Sequence, residues 1–158
     1  IRGGHNIEPG LIEEALMQSP SVAIAAAVGK PDTHAGELPI AYVELHPGMQ
    51  VSSEELLHFA SERIPERPAV PKEIFILDKL PLTSVGKPMK HVLQMDAAKR
   101  VFEGALQALT CPWRIDITNT GGSGLHTQLQ LQKASEDDRQ AADKILSAYS
   151  VPYEIAVE

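Results

Sequence analysis

Apolar residues recur along the first two thirds of the chain with two different spacings, one helical and one strand-like. Apolar residues with helical spacing follow Pro9, and others follow the Ser52–Glu55 pair, whose spacing is that of a capping box. A third set of apolar residues leads us to expect Asp96 as the N-cap of another helix. The segments between these predicted helices are short, apolar and bounded by proline or glycine, as strands are. The predicted helices are 9–18, 52–64 and 96–109, and the predicted strands are 21–28, 39–45 and 74–77.

The connections between these elements are rich in proline and glycine. Residues 29–32, which read Gly-Lys-Pro-Asp, are predicted to form a turn. The connection 80–90 contains two prolines, so it cannot continue as an ordinary strand ladder or helix. Gly86 allows a turn that other residues avoid, and Lys87 follows it. By itself such a lysine is typical of a solvated surface turn.

A different pattern begins after residue 109. Apolar and polar residues alternate in 113–119 and 125–131, and this alternation predicts a hairpin with a glycine-rich turn at 119–124. Ser135 with Asp138 starts a predicted helix, and 151–157 is predicted to be a last strand.

The element order predicts an α+β fold with two parts. Residues 1–109 form a small domain in which a short β-sheet is packed by helices. Residues 110–158 add a β-β-α-β extension, to which the sequence assigns no role.

Composition narrows the class of protein. The chain has 158 residues, 43% of them hydrophobic, and a net charge of −7, which makes a nucleic acid an unexpected partner. No apolar run is long enough for a transmembrane helix. The single cysteine, Cys111, excludes an internal disulfide, fits a cytoplasmic location and is predicted to be buried. The six histidines lack the spacing of metal ligands, so we expect no metal site.

Five short motifs then occur in an order and spacing that resemble a known family. They lie at 1–9, 20–32, 36–43, 71 and 80–87. Over about residues 1–100 the chain is similar to the small C-terminal domain of AMP-forming acyl-CoA synthetases. These enzymes belong to the adenylate-forming superfamily, with luciferases and peptide-synthetase adenylation domains. Because the chain starts within a motif and without methionine, we expect it to be a fragment of a longer protein.

The resemblance implies a reaction in two steps. A carboxylic acid attacks the α-phosphate of ATP, which gives an acyl-adenylate and pyrophosphate, and the thiol of coenzyme A then displaces AMP. In this family the small domain rotates between the two steps. ATP with its Mg²⁺, coenzyme A and the acid are bound mainly by an N-terminal large domain, which is the partner we expect. Assembly of identical subunits is left open.

The resemblance also implies roles for residues of two loops. Lys87 matches the lysine that contacts the carboxylate and phosphate region in the first step, where a cation lowers the repulsion between two anions. Thr83 and Gly86 support its loop. Gly4 matches a glycine that leaves room for the pantetheine arm in the second step. The residues expected beside it are Arg2, Gly3 and His5.

Two alternatives remain at this point. The chain could be a non-catalytic ligand-binding or regulatory module on the same scaffold, although Lys87 argues against this interpretation. It could also belong to an adenylation enzyme that loads a carrier protein, because a carrier's phosphopantetheine arm suits the Gly3-Gly4 loop as well as coenzyme A does. The fragment alone is expected to be inactive.

Overall fold

Four α-helices and two three-stranded β-sheets make up the part of the chain that the computed structural model describes, residues 1–119 and 124–158. This arrangement confirms the predicted α+β class, including the β-β-α-β order of the extension. The elements are α1 (Pro9–Met17), β1 (Val22–Asp32), β2 (Gly36–Leu45), α2 (Ser53–Ser61), a 3₁₀ turn (Arg67–Ala69), β3 (Ile74–Ile76), α3 (Lys90–Leu106), β4 (Trp113–Asn119), β5 (Leu125–Leu131), α4 (Glu136–Ser147) and β6 (Tyr153–Val157).

The first sheet has β2 at its centre. β1 pairs with β2 in antiparallel register, and β3 pairs with β2 in parallel register. Residues 40–43 of β2 are at most 1% exposed, since both faces of the sheet are covered. Helices α1 and α2 pack on one face, around Leu16 and Leu56, and the first half of α3 packs on the other, around Leu93. Alternate residues of one strand therefore enter two different cores.

The second sheet belongs to the extension. β4 and β5 form an antiparallel pair, and β6 returns through α4 to lie parallel to β5. One face of this sheet packs against α4 and the second half of α3. The buried residues of this core are Ala98, Phe102, Leu106, Cys111, Ile115, Leu129, Leu131, Ala142 and Leu146.

α3 thus contributes to two hydrophobic cores. Leu93 and Ala97 lie with Tyr42 in the core of the first sheet, whereas Phe102 and Leu106 lie in the core of the extension. The Phe102 ring also meets the Tyr149 ring edge-on, with centroids 5.1 Å apart. The predicted boundary at residues 109 and 110 therefore follows a helix that both parts share.

The predicted turn at 29–32 is wrong, because β1 continues through these residues to Asp32. Pro31 is tolerated there because β1 is an edge strand, where the missing N–H of a proline costs less than in a central strand. The chain reverses instead at 33–35, and Gly36 opens β2 with φ +80°.

The predicted cap at Asp96 is also wrong. α3 begins two turns earlier, at Lys90, and it ends at Leu106 rather than near Leu109. The sequence hid this start because Met89, the residue at the N-cap, makes no capping hydrogen bond with its side chain. Asp96 lies inside the helix and accepts hydrogen bonds from other side chains.

Other local predictions are confirmed. Ser52 accepts a hydrogen bond from the Glu55 N–H at 3.1 Å, Ser135 and Asp138 form a complete capping box, and Cys111 is buried. Of the glycine-rich turn, residues 120–123 lie outside the described part of the chain. None of the described helices is both long and apolar enough to cross a membrane.

Candidate functional site

Lys87 lies in a narrow hairpin-like loop between β3 and α3. The Thr83 N–H donates to the Lys87 carbonyl at 2.7 Å, and the Gly86 N–H donates to the Thr83 carbonyl at 2.9 Å. The Thr83 hydroxyl oxygen also accepts from the Lys87 N–H at 3.2 Å. Gly86 has φ +80°, a backbone conformation that residues with a side chain rarely adopt. Thr83 and Gly86 therefore hold the backbone on which Lys87 stands.

The base of this loop is attached to the core. The Met89 N–H donates to the Pro81 carbonyl at 2.8 Å, which closes the loop. Leu80 is only 4% exposed and packs in the core with Leu93. Its N–H donates to Oε1 of Glu44 at 2.8 Å. A firm base thus carries an exposed tip.

The tip itself projects into solvent. Lys87 is exposed, and the neighbouring Val85 is 76% exposed. Among the ion pairs of the described residues, none includes Lys87. An ammonium group presented in this way can meet an anion from outside the domain.

The second predicted site is the N-terminal loop, residues 2–5. Arg2 and His5 exchange two backbone hydrogen bonds of 2.8 Å, and Gly3 and Gly4 between them have φ +50° and +87°. Positive φ at both central residues is the geometry of a two-residue type I′ turn. A Cβ on either glycine would meet no atom of this chain within 4 Å. The backbone conformation is therefore the reason for glycine at these two positions. Crowding by other atoms of the chain is not the reason.

The N-terminal loop is fastened to the turn between β1 and β2. The Gly3 N–H donates to the Ala35 carbonyl at 2.9 Å. Asp32 stabilises this turn, because its carboxylate accepts from the N–H groups of Ala35 at 2.8 Å and His34 at 3.0 Å. The hydrogen bond from Ala35, more than any other contact, lowers the pKa of the Asp32 carboxyl. The carboxylate is therefore ionised near neutral pH.

A groove of about 490 Å³ runs beside the N-terminal loop, and we call it the basic groove. Its cationic side chains are Arg2, Arg67 and Lys72, and none of the described residues that line it has a carboxylate. Arg2 is held in place because its guanidinium donates to the Pro68 carbonyl at 2.9 Å. The groove is suited to an anionic ligand. It is lined by Arg2, Gly3, His5, Ala35, Arg67, Pro68 and Lys72.

Sequence reasoning missed Arg67 and Lys72 as candidate site residues. Their only signal is a pair of cations in a proline-rich connector, and the fold is needed to bring them to Arg2. A smaller cleft of about 200 Å³ lies between the N-terminal segment, α1 and α3. Lys87 lines neither cavity, so the domain presents the Lys87 loop and the N-terminal loop as separate surfaces.

Among the described residues, no three His, Cys, Asp or Glu side chains form a group that could hold a metal ion.

Comparisons with known proteins agree with the motifs. Residues 11–87 match the family described as the AMP-binding enzyme C-terminal domain. A marinolic acid–CoA ligase from Pseudoalteromonas sp. is 45% identical over 126 residues, which are 78% of this chain and 19% of that protein. A medium-chain fatty-acid–CoA ligase from Escherichia coli is 33% identical over 110 residues, which are 69% of this chain and 19% of that protein.

Solved structures give the same picture. A fatty acyl-CoA synthetase from Mycobacterium tuberculosis superposes with a TM-score of 0.57 and 29% identity, over 63% of this chain and 20% of that one. The chain spans about a fifth of the length of the curated relatives it matches. The match to the marinolic acid–CoA ligase covers 78% of the chain. This is more than residues 1–109, so the match includes part of the extension.

Proposed function

We propose that this chain, which belongs to the AMP-binding enzyme C-terminal domain family, is part of an AMP-forming ligase. Such a ligase joins a carboxylic acid to coenzyme A. The acid is a fatty acid or another carboxylic acid. The observation that carries the proposal is the exposed Lys87, held on a braced loop without a carboxylate partner among the described ion pairs.

In the first step, Lys87 would lie between two anions. The carboxylate and the α-phosphate repel each other as they approach, and charge shifts to the leaving pyrophosphate. An ammonium group beside them lowers this repulsion and stabilises the transition state more than the separated substrates. The loop supports this role, since Thr83 and Gly86 fix the backbone and leave the long side chain free to reach out of the domain.

In the second step, the N-terminal loop would approach the thiol as it attacks the acyl-adenylate and displaces AMP. Gly4 lies at an exposed turn, where no atom of this chain would meet a Cβ within 4 Å. A side chain there would project toward whatever lies opposite the loop, and we propose that this is the pantetheine arm. The adjacent basic groove, with Arg2, Arg67 and Lys72, supports an anionic ligand such as the phosphates of coenzyme A.

The rest of the site is proposed to lie outside these residues. ATP, its Mg²⁺ and the acyl group would be bound mainly by an N-terminal large domain of the same protein. We further propose a cytoplasmic location, consistent with one free cysteine. By itself the 158-residue chain is expected not to bind ATP tightly or hydrolyse it.

The role of Lys87 is tested in the full-length enzyme by measuring the two half-reactions separately. Lys87→Ala removes the cation, so pyrophosphate release should fall by about 10²-fold or more, as expected for the loss of a preorganised charge. Conversion of supplied acyl-adenylate to the thioester should change little. Lys79→Ala, which removes an exposed lysine immediately before the same connection, is the matched control. Equal loss of both half-reactions would contradict the assigned role.

The N-terminal loop is tested by Gly4→Leu with the same two assays. We expect the thioester step to fall by about tenfold or more, because a bulky side chain at this turn blocks the arm, while adenylation persists. Gly48→Leu is the control, since Gly48 is also at φ +80° in an exposed turn and carries the same backbone strain. An unchanged thioester step in Gly4→Leu would remove the argument for this loop.

A further inference from the structure

We propose that Glu13 is a positioning residue for Lys87, and that it acts through Lys90 at the start of α3. The inference rests on the function proposed for Lys87. It assigns a role in the reaction to a side chain on α1, which packs on the opposite face of the first sheet from the first half of α3.

The Glu13 carboxylate joins three elements. Its Oε2 atom lies 3.0 Å from Nζ of Lys90 and also accepts a hydrogen bond from the Ala27 N–H at 3.0 Å. The side chains of Glu13 and Lys90 are 23% and 39% exposed, so the pair is partly shielded from solvent. One oxygen thus links α1 to the edge strand β1 and to the first residue of α3.

The start of α3 needs such a contact. Met89, at its N-cap, makes no capping hydrogen bond with its side chain, and the first turn contains no acidic residue. Lys90 adds a positive charge at the end of the helix where the macrodipole is also positive, which is unfavourable. The Glu13 carboxylate offsets this charge from outside the helix, in place of a local cap.

A displacement of Lys90 would pass directly to Lys87. Two residues, Pro88 and Met89, separate them, and the ring of Pro88 fixes one of the few backbone angles between them. The incoming end of the loop is fixed independently, by Leu80 in the core and its hydrogen bond to Glu44. The Met89 N–H bond to the Pro81 carbonyl and the packing of Leu93 keep the outgoing end attached, so loss of the Glu13 contact would shift the tip without unfolding the loop.

The experiment uses the full-length enzyme and the two half-reactions. Glu13→Gln keeps an acceptor for the Ala27 N–H but removes the charge that pairs with Lys90. Lys90→Met removes the other partner. We expect each to lower adenylation by about tenfold, as expected for misplacement of a reacting group, and the double variant to be no worse than either. The thioester step from supplied acyl-adenylate should stay within about twofold.

Two further variants separate positioning from general stability. Lys90→Arg keeps the cation and should retain adenylation near the unsubstituted level. Glu103→Gln removes a carboxylate that pairs with Lys99 on the same helix, far from the loop, and should leave both half-reactions unchanged. Hydrogen exchange at the amides of Thr83, Gly86 and Lys87 should become faster in Glu13→Gln, whereas the melting temperature should shift little.

The outcomes distinguish this inference from the function on which it rests. If Lys87→Ala leaves adenylation intact, both proposals are overturned. If Lys87→Ala abolishes adenylation while Glu13→Gln does not slow it, only the role of Glu13 is overturned. Equal loss of both half-reactions in Glu13→Gln, or failure of Lys90→Arg to retain activity, would also overturn it, because a structural defect or another feature of Lys90 would then be responsible.

Discussion

The hydroxyl of Tyr42 joins the central strand of the first sheet to α3. It donates to Oδ2 of Asp96 at 2.6 Å, and the Nε–H of Arg100 donates to the same atom at 2.8 Å. The Arg100 guanidinium also stacks 4.3 Å from the centre of the Phe75 ring. Burial, followed by the hydrogen bond to Asp96, raises the pKa of Tyr42. A fully buried tyrosine thereby joins the central strand to the helix that follows the Lys87 loop.

Tyr42→Phe tests this link at the scale of one atom. The substitution keeps the packing but removes a hydrogen bond to a charged group, and we expect the free energy of unfolding to fall by about 1.5 kcal/mol. Urea denaturation of the 158-residue chain measures this. Tyr153→Phe, which removes an exposed hydroxyl bonded to Asp143, should change stability by less than about 0.5 kcal/mol. Equal effects would contradict the importance of burial.

The raised pKa of Tyr42 also predicts a dependence on alkaline pH. The unfolded chain loses the Tyr42 proton near pH 10, while the folded chain retains it. The contribution of Tyr42 to the free energy of unfolding is therefore fully present below pH 10, and it is lost as the pH rises above 10. In Tyr42→Phe, the loss of stability above pH 10 that is due to this tyrosine should be absent when urea denaturation is measured at the same pH values.

Residue identity alone indicated some site residues but not their partners. Lys87 stood out because prolines and Gly86 surround it, and Gly3-Gly4 stood out as a flexible pair; both are local signals. Tyr42 and Asp96 gave none, because the two are 54 positions apart and a tyrosine in an apolar strand usually indicates core packing alone. Their contact exists only once α3 lies on the sheet.

At the scale of elements, capping chemistry identified two of the helix starts. α2 begins with the Ser52 cap, and α4 begins with the Ser135–Asp138 box, in which the Ser135 Oγ accepts from the Asp138 N–H at 3.1 Å and the Asp138 carboxylate accepts from the Ser135 N–H at 2.8 Å. Both bonds form within four consecutive residues, so the sequence contains all that they require.

Ser135→Ala should therefore destabilise α4 in a predictable way. Loss of the cap leaves the Asp138 N–H without its acceptor, and the free energy of unfolding should fall by about 1 kcal/mol. Circular dichroism during urea denaturation of the 158-residue chain measures the change. Ser147→Ala is the control, because the Ser147 hydroxyl lies at the other end of the same helix, where it donates to the Lys144 carbonyl at 3.3 Å. If Ser147→Ala lowered the free energy of unfolding as much as Ser135→Ala does, capping would not be the cause.

For α3 and β1, by contrast, the element boundaries depend on pairing partners outside the boundary itself, which are distant for α3 and lie in the next strand for β1. The start of α3 at Lys90 is supported by Glu13, which lies 77 positions away, rather than by a residue beside it. β1 continues through Pro31 because residues 36–38 pair with its end. Local signals in these two regions favoured a later helix start and an earlier turn.

At the scale of the whole molecule, α3 determines how the extension is attached. Three of the nine buried residues of the extension core, Ala98, Phe102 and Leu106, come from this helix. The side chain of Asn119, at the end of β4, also donates to Gln94 at 3.0 Å, near the first turns of α3. The extension therefore packs along most of the helix that begins at Lys90.

Residues 110–158 alone are consequently expected not to fold. Without α3 the covered face of the second sheet keeps only α4, and a chain of this size buries too little apolar surface to compensate. Circular dichroism and proton NMR of this fragment should report an unfolded chain, whereas the 158-residue chain should be folded. The fragment 90–158, which restores α3, should regain part of the structure. A cooperative thermal transition in 110–158 alone would contradict the shared core.

The sequence by itself determined the fold class, the order of the elements, the caps of α2 and α4 and the two loops with candidate chemistry. Each of these depends on periodicity, on backbone restrictions of glycine and proline, or on hydrogen bonds between near neighbours. Only the tertiary structure decided the start of α3, the Tyr42–Asp96 bond, the basic groove and the sharing of α3 between two cores. These depend on groups that are far apart in the chain and meet only after packing, so no local pattern encodes them.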